Sequence, residues 1–425
     1  MTLEFRDHQV LVISPGSQST QVQLGLNESL LPASHEIATV VYFDEQLQKY
    51  SMTATETTTV IHPIQQGAIA DEKAFFYFLK MVYKECKSID GLPPALFMTI
   101  SLAITRRQLE RLTQYVFEEI KAPALALMYL GICTSYAFLS SDCLIVDVGL
   151  DKTEISVINQ FDLDRYASSI VPIGGSSINR NLKKRLPLTA DQIEDLKGSP
   201  IYEVLSADQR KTASGSQKLI DEEDGVVDIA AIVSSGHTRE ILDRREKMKS
   251  GEIPEVLNIE MPENTFVDRN GETITVGMER FVGCDELLNA INDAIADVLH
   301  SLSPKQQQHV FDNFIVTGRG SLPSGFRDKL VELVEARYVV RPLTPQGIIA
   351  ATEENDALSQ APTTLTVSRL PDHFPEWKNH KWDDYTFLGA QICAKQILTS
   401  GIEGLFVSRS DYNEIGPTCI GDILT

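Results

Sequence analysis

Residues 11–21 read LVISPGSQSTQ and residues 144–154 read LIVDVGLDKTE. Each stretch is an apolar strand that runs into a glycine turn and leaves through a threonine. Aligned, Ser14 falls on Asp147, Gly16 on Gly149 and Thr20 on Thr153. A strand–turn–strand written twice in one chain requires two related α/β halves, each organised on its own sheet. The first copy carries serine and proline where the second carries aspartate and valine. The repeat therefore predicts a shared shape and leaves the chemistry of each turn to be settled residue by residue.

The surrounding pattern agrees with an alternation of strands and helices. HQVLVIS, TQVQLGL, EIATVVYF and TTTVIHPI read as strands, and EKAFFYFLKMVYKEC as a helix with Phe75, Phe78, Leu79 and Val82 on one face. ALFMTIS reads as a buried strand and RRQLERLTQYVFEEI as an amphipathic helix. Residues 285–302 place Leu287, Ile291, Ile295, Val298 and Leu302 on one stripe, and NFIVTG at 313–318 is a buried strand entering a glycine turn. Two stretches read as surface insertions. Residues 206–263 are polar, with DEED at 221–224 and a charged helix TREILDRREKMK, and residues 341–370 hold three prolines and little periodicity.

With 425 residues the chain is long enough for two full cores. A formal net charge of −21 argues against direct nucleic-acid binding, which depends on Lys and Arg neutralising phosphates. The basic clusters KKR at 183–185 and RREKMK at 244–249 read as solvated helix faces. The six cysteines are widely spaced without a CxxC, as expected of reduced thiols, and the histidines form no metal-binding motif. Without a long apolar run or a charged-then-apolar leader, the chain reads as soluble and intracellular, with no membrane partner.

The ordered pair of hairpins resembles the actin fold, in which two such hairpins grip phosphates across a cleft. Other stretches point to the actins within that fold. FLGAQICAKQILTSGIEGLFVSRSDYNEIGPTCI resembles the actin C-terminus, and NTFVDRNGETITVGMERFVGCDELL at 264–288 an actin hairpin. HPIQQGAIADEKAFF at 62–76 and TQYVFEEIKAPALALMYLGICTSYAF at 113–138 are also similar to actin segments. PGSQSTQVQLGLNE, NLKKRLP, SPIYEVLSAD and PDHFPEWK resemble the divergent fungal nuclear actin-related proteins of SWI/SNF and RSC chromatin-remodelling complexes.

The resemblance implies an α/β actin fold: two related domains around a cleft, each with a smaller appended subdomain. One large subdomain would comprise 1–33, 63–137 and 371–425, with a small outer subdomain at 34–62. The second would comprise 138–173 and 283–370, with a small subdomain at 174–282. The span from Glu36 to His62 is short for the actin polymerisation loop.

At positions that match the actin phosphate site, the chemistry is depleted. The metal-side aspartate is Ser14, a backbone N–H is lost at Pro15, the phosphate-binding lysine is Gln21, and the glutamine that orients water is Leu130. Leu150 and Asp151 replace an acid and a glycine. Asp147 and Gly149 are kept, and Arg319 follows Gly318 where a second glycine is expected; it would either reach a phosphate or fill the cleft. Asp147 reads as a turn brace or a metal-side acid, and Gly174–Gly175 as a helix entry or a nucleotide contact. A degenerate nucleotide cleft would thus comprise Gly16, Ser17, Asp147, Gly149, Gly175 and Gly318, with no catalytic residue and no resident metal or cofactor.

By the same resemblance, Tyr136, Ala137, Ile392, Cys393 and Gln396 would line a trough that receives partner helices, although Tyr136 and Cys393 also read as core residues. The implied role is a non-catalytic nuclear scaffold of a remodelling complex. It would pair with a second actin-related protein, bind a helical segment of the remodeller ATPase, and contact other subunits. Cys393→Arg is then expected to fold and to lose those partners. The alternative is an actin-fold ATPase or nucleotide-binding protein with weak residual ATP binding.

Overall fold

The computed structural model describes residues 4–26, 30–86, 91–206, 209, 257–340, 362–377, 380–400, 402 and 404–423. Most of the polar stretch 206–263, with its DEED run and its charged TREILDRREKMK segment, lies outside the described residues, as do residues 341–361.

Along the chain, β1 (Val10–Pro15) and β2 (Ser19–Leu24) form the first hairpin, and β3 (His35–Ala38) pairs with β2. Three short strands follow, β4 (Val41–Asp44), β5 (Lys49–Ser51) and β6 (Thr58–Ile61), then the pair β7 (Ile64–Gln65) and β8 (Ala68–Ile69). Helix α1 (Glu72–Glu85), β9 (Ala95–Ile100), α2 (Arg106–Tyr115), β10 (Ala124–Tyr129) and α3 (Leu130–Phe138) lead to the second hairpin. That hairpin is β11 (Cys143–Val148) and β12 (Thr153–Asn159), extended by β13 (Asp162–Leu163) and β14 (Ser169–Val171). After α4 (Gly175–Lys183) and α5 (Ala190–Gly198) come β15 (Asn264–Val267) and β16 (Thr273–Val276). Helices α6 (Asp285–His300) and α7 (Pro304–Phe311), strand β17 (Phe314–Thr317) and helix α8 (Phe326–Tyr338) follow. The C-terminal part holds α9 (Tyr385–Ala394), β18 (Val407–Ser408) and α10 (Arg409–Ile415).

The repeat seen in the sequence is a repeat of structure. The first hairpin pairs Ser14 with Gln21 and the second pairs Asp147 with Glu154, in matching register. The Gly16 N–H donates to the Ser19 carbonyl at 3.0 Å, and the Gly149 N–H to the Lys152 carbonyl at 2.9 Å. Each hairpin then gains a parallel neighbour, β9 beside β1 and β17 beside β11. The first sheet runs β18-β10-β9-β1-β2-β3. The second runs β13-β12-β11-β17, with β14 also on β12.

Alternation along the central strands divides the core of the first sheet. Leu11, Ile13, Leu96, Met98, Leu125 and Leu127 face one apolar cluster, with α1 and α2 against it. Val10, Val12, Ala95, Phe97, Ala124 and Ala126 face the other, which contains α3 and α9. Strands buried on both faces need no polar alternation, which is why these segments read as continuous apolar runs. The predicted faces of α1 and of 285–302 are buried as expected. One predicted strand divides: EIATVVYF becomes β3 and β4 in different sheets. The break falls at Thr39, whose buried hydroxyl bonds that of Thr20 at 2.8 Å.

The described chain separates into two compact units. One is Met1–Ser177, Asn289–Leu322 and Val334–Thr425; the other is Ile178–Leu288 and Pro323–Leu333. The second unit is organised around buried Arg280, whose Nε donates to Asn258 Oδ1 at 2.9 Å while its other nitrogens reach the carbonyls of Gly277, Asn258 and Met261. Carbonyl oxygens on each guanidinium nitrogen are what allow an arginine to be fully buried without a carboxylate. Among the described residues no helix is long and apolar enough to cross a membrane.

Candidate functional site

The turns of the two hairpins, the loop after β17 and the short turn before α9 all belong to the first unit, and they meet. In the first hairpin, the Ser14 hydroxyl bonds the Thr99 hydroxyl at 2.8 Å, so it is held by the neighbouring strand. Gly16 and Ser17 form the turn itself, half-buried. The Gln21 amide donates to Asp384 Oδ1 at 2.6 Å.

In the second hairpin, Gly149 sits under the start of α4. Its carbonyl accepts from the Gly175 N–H at 2.9 Å, and the Leu150 carbonyl accepts from Ser176 at 2.8 Å. A helix N-terminus has free N–H groups suited to an anion. Here the hairpin's own carbonyls take the first of them. Gly174 is needed for that closeness: a Cβ there would lie 2.5 Å from the Gly149 oxygen and 2.6 Å from that of Leu150. Gly318, at φ +86°, lets the loop after β17 pass against Asp147 and Val148.

Arg319, next in that loop, reaches back across the site. Its Nη1 donates to Ser19 Oγ at 2.9 Å, its Nη2 pairs with Glu36, and its Nε lies 3.4 Å from Asp383 Oδ2. Of the two readings of Arg319, the filling one describes its contacts among the described residues. Trp382 joins the same assembly: its carbonyl accepts from Thr317 Oγ1 at 2.9 Å and its Nε1 donates to Ser321 Oγ at 2.9 Å. Asp383 is only 8% exposed, and its Oδ1 has no hydrogen-bond partner among the described residues. Burial and the neighbouring Asp384 raise the Asp383 carboxyl above its ordinary range, against the pull of Arg319.

Sequence reasoning missed Glu36 and the Trp382–Asp384 turn. The only local signal for the turn was a tryptophan followed by two acids in a segment without periodicity. It also missed a buried ion pair at the start of β12, where Lys152, just before the strand, and Glu154 on it meet Ser101. Ser101 Oγ donates to Glu154 Oε2 at 2.8 Å, and Lys152 Nζ to Ser101 Oγ at 2.6 Å. Two charges at i and i+2 lie on one face of a strand, which was the available clue.

The residues assigned to a partner trough divide by depth. Tyr136 is half-buried and packs at a tilt against Phe161 at 4.8 Å between centroids, Ile392 is half-buried, and Gln396 is exposed. Ala137 and Cys393 are 0% and 2% exposed. Burial strongly suppresses the acidity of the Cys133 thiol, and the neighbouring Cys393 thiol adds to that effect. The helices α3 and α9 are apolar all round, so neither sequence has a stripe that distinguishes the wet side from the dry one. The expectation that Cys393→Arg folds is corrected by this burial, because the arginine would have to enter a closed core.

The actin family profile matches residues 7–422. The chain belongs to the actin family. Its fold is the actin fold. It is 27% identical over 416 residues to the SWI/SNF and RSC complexes subunit arp9 of Schizosaccharomyces pombe, an alignment covering 85% of this chain and 78% of that protein. It is 22% identical over 251 residues to actin-related protein 4 of Arabidopsis thaliana, covering 59% of this chain and 54% of that one. The corresponding rice protein is 23% identical over 237 residues, covering 54% of this chain and 51% of that one.

The actin fold implies a metal-bound nucleotide in the cleft, and the donor set of this actin-family chain does not fit one. Such a ligand needs carboxylates for the metal and free N–H or cationic donors for the phosphates. Ser14 is neutral and bonded to Thr99, Pro15 has no N–H, and Gln21 is held by Asp384. Arg319, which reaches the turns, is engaged by Glu36 and Asp383, and Lys152 of the second turn by Glu154. Among the described residues no three His, Cys, Asp or Glu side chains gather as a metal set.

Asp147 shows how the cleft treats charge. Burial raises its carboxyl to about 6; Lys152 pulls it down and Glu154 pushes it up again. The folded chain therefore binds this proton more tightly than the unfolded chain, whose aspartate titrates near 3.8. Stability from this group is full below that value and is lost as pH rises through about 6. Asp147→Asn, which cannot ionise, is expected to melt above the parent at pH 7.5 and level with it at pH 4. The difference should be about 1–2 kcal/mol once partial exposure is allowed for. Thermal melts across that pH range check it, and identical melting at pH 7.5 would mean that Asp147 ionises there without cost.

Proposed function

We propose that this chain is a non-catalytic actin-related scaffold of a nuclear chromatin-remodelling complex of the SWI/SNF or RSC kind. In this reading it pairs with a second actin-related protein and receives a helix of the remodeller ATPase, among other subunits. What supports it most is the likeness to arp9 across 85% of the chain, in a protein whose first hairpin keeps its turn without phosphate-binding groups. The four-subdomain partition of 1–33 with 63–137 and 371–425, 34–62, 138–173 with 283–370, and 174–282 is part of the proposal.

The docking surface in this reading is formed by Tyr136, Ile392 and Gln396, with Ala137 and Cys393 supporting it from beneath. A half-buried aromatic and a half-buried branched aliphatic packed on the same apolar cluster suit the apolar face of a helix. Ile392→Arg places a charge at the rim, where the free chain can still solvate it. It is expected to keep melting within a few degrees of the parent and to lose at least about tenfold in partner affinity. Affinity purification of the tagged chain from nuclear extract, followed by identification of what remains bound, tests this. Retention of all partners at parental stoichiometry would move the surface elsewhere.

The alternative, an actin-fold ATPase or weak nucleotide binder, draws on the retained Asp147 and Gly149. Turnover of magnesium–ATP by clean protein, abolished by Asp147→Asn, would favour it.

A further inference from the structure

The contacts around Arg319 tie together two sheets that share no strand. Ser19, Gln21 and Glu36 belong to the first sheet, on β2 and β3. Thr317 ends β17 of the second sheet, and Arg319 and Ser321 follow it. The turn Trp382–Asp384 lies between them and is bonded to both: Gln21 to Asp384, Arg319 to Asp383, and Thr317 and Ser321 to Trp382. Arg319 also reaches β2 and β3 directly, through Ser19 and Glu36. In the actin fold that place between the hairpins belongs to a ligand.

We infer that the Arg319 guanidinium and the Trp382–Asp384 turn are a resident clasp that closes the cleft in place of a nucleotide. Three features fit a clasp rather than a chance surface pair. The guanidinium fork serves three separate partners at once, which a single ammonium could not do in one plane. Glu36 pairs with Arg319, and although burial pushes its carboxyl up, Ser19 and Arg319 beside it outweigh that and hold it below its ordinary range. The Asp383 side chain is nearly inaccessible and pairs with Arg319, so removing the guanidinium takes the ion-pair partner from a buried carboxylate. An anionic phosphate entering here would have to displace Arg319 from two acids and would then face them. The inference stands apart from the remodelling role, which an open cleft would serve equally well.

The test uses the full chain. Arg319→Met keeps the length of the stem and removes the charged fork. It is expected to lower the melting temperature by about 2–4 °C. Hydrogen exchange at residues 14–21 and 382–384 should rise at least tenfold, while exchange in β9 and β10 stays as in the parent. Arg319→Lys, a single point charge, should recover less than half of that protection. Millimolar magnesium–ATP should leave the parent's melting temperature unchanged. Unaltered exchange at both segments in Arg319→Met would overturn the clasp, whatever the chain binds. A rise of several degrees in the parent on adding magnesium–ATP would overturn it too, because the cleft would then admit the ligand that the clasp replaces.

Discussion

Cys393→Arg is expected to leave no stably folded chain. Cys393 is 2% exposed and lies in the apolar cluster with Cys133, Phe138, Phe387, Ile397 and Leu398. An arginine is several atoms longer than cysteine, and this cluster is packed between β1, β9 and β10 on one side and α3 on the other. Two costs therefore combine. Overpacking displaces neighbours, typically for 1–3 kcal/mol, and an unpaired buried guanidinium adds several more. Together they exceed about 4 kcal/mol, a large part of what holds a domain folded. The variant should partition to the insoluble fraction or melt more than about 10 °C below the parent, while Cys393→Ala should melt within a few degrees of it. Circular dichroism melts of the two variants decide the matter. Parental melting of Cys393→Arg would place this side chain at the surface after all. Loss of partners in this variant would say nothing about a docking surface, which is why Ile392 is the better probe.

The fold was legible wherever one segment carried its own pattern. The paired hairpins were visible because strand, glycine turn and threonine recur in one order, and the structure repeats them down to the Gly16 and Gly149 turn bonds. The faces of α1 and α6 were visible because their apolar residues recur at helical spacing. Helices α3 and α9 gave no such reading. Their surfaces are buried nearly all round, so spacing could not show that Cys393 faces inward while Ile392 beside it stays half-buried. The division of EIATVVYF was hidden for a related reason. β-propensity is continuous through Thr39, and the break depends on a hydroxyl pairing with Thr20 on another strand.

The cleft illustrates the harder limit. That Ser14, Pro15 and Gln21 each lack a group that phosphate binding needs was readable position by position. What occupies the space was not. Arg319 and Ser19 are 300 positions apart, and Asp384 lies 363 from Gln21. No local periodicity encodes such pairs; the topology that brings β17 and the turn before α9 to the first hairpin does.

That turn feeds directly into α9, where the second large effect is expected. Gly389 of α9 packs directly against the backbone of α3. A Cβ built there would overlap the Cys133 carbonyl oxygen, lie 2.5 Å from its carbon and 3.2 Å from the Ala137 nitrogen. All three are backbone atoms of a helix, so no side-chain rotation can make room. The helices would have to move apart, and the contacts that depend on their spacing would go with them. These include the Thr134–Thr386 hydroxyl bond at 2.9 Å, the Cys133–Cys393 thiols and the Phe138–Tyr385 edge contact at 5.8 Å. Helix propensity runs the other way, since alanine is favoured over glycine by about 1 kcal/mol in a helix interior. The steric term wins because an overlap with main chain cannot relax in place. Gly389→Ala should therefore destabilise by about 3 kcal/mol or more and Gly389→Val should not fold, in spite of better intrinsic propensity for alanine. Ala390→Gly, one position along, removes a single methyl and is expected to cost about 1–2 kcal/mol. Chemical denaturation of the two single variants gives the order directly. Should Gly389→Ala prove as stable as the parent, α3 and α9 would have to cross at a wider separation than the one that excludes a methyl group here.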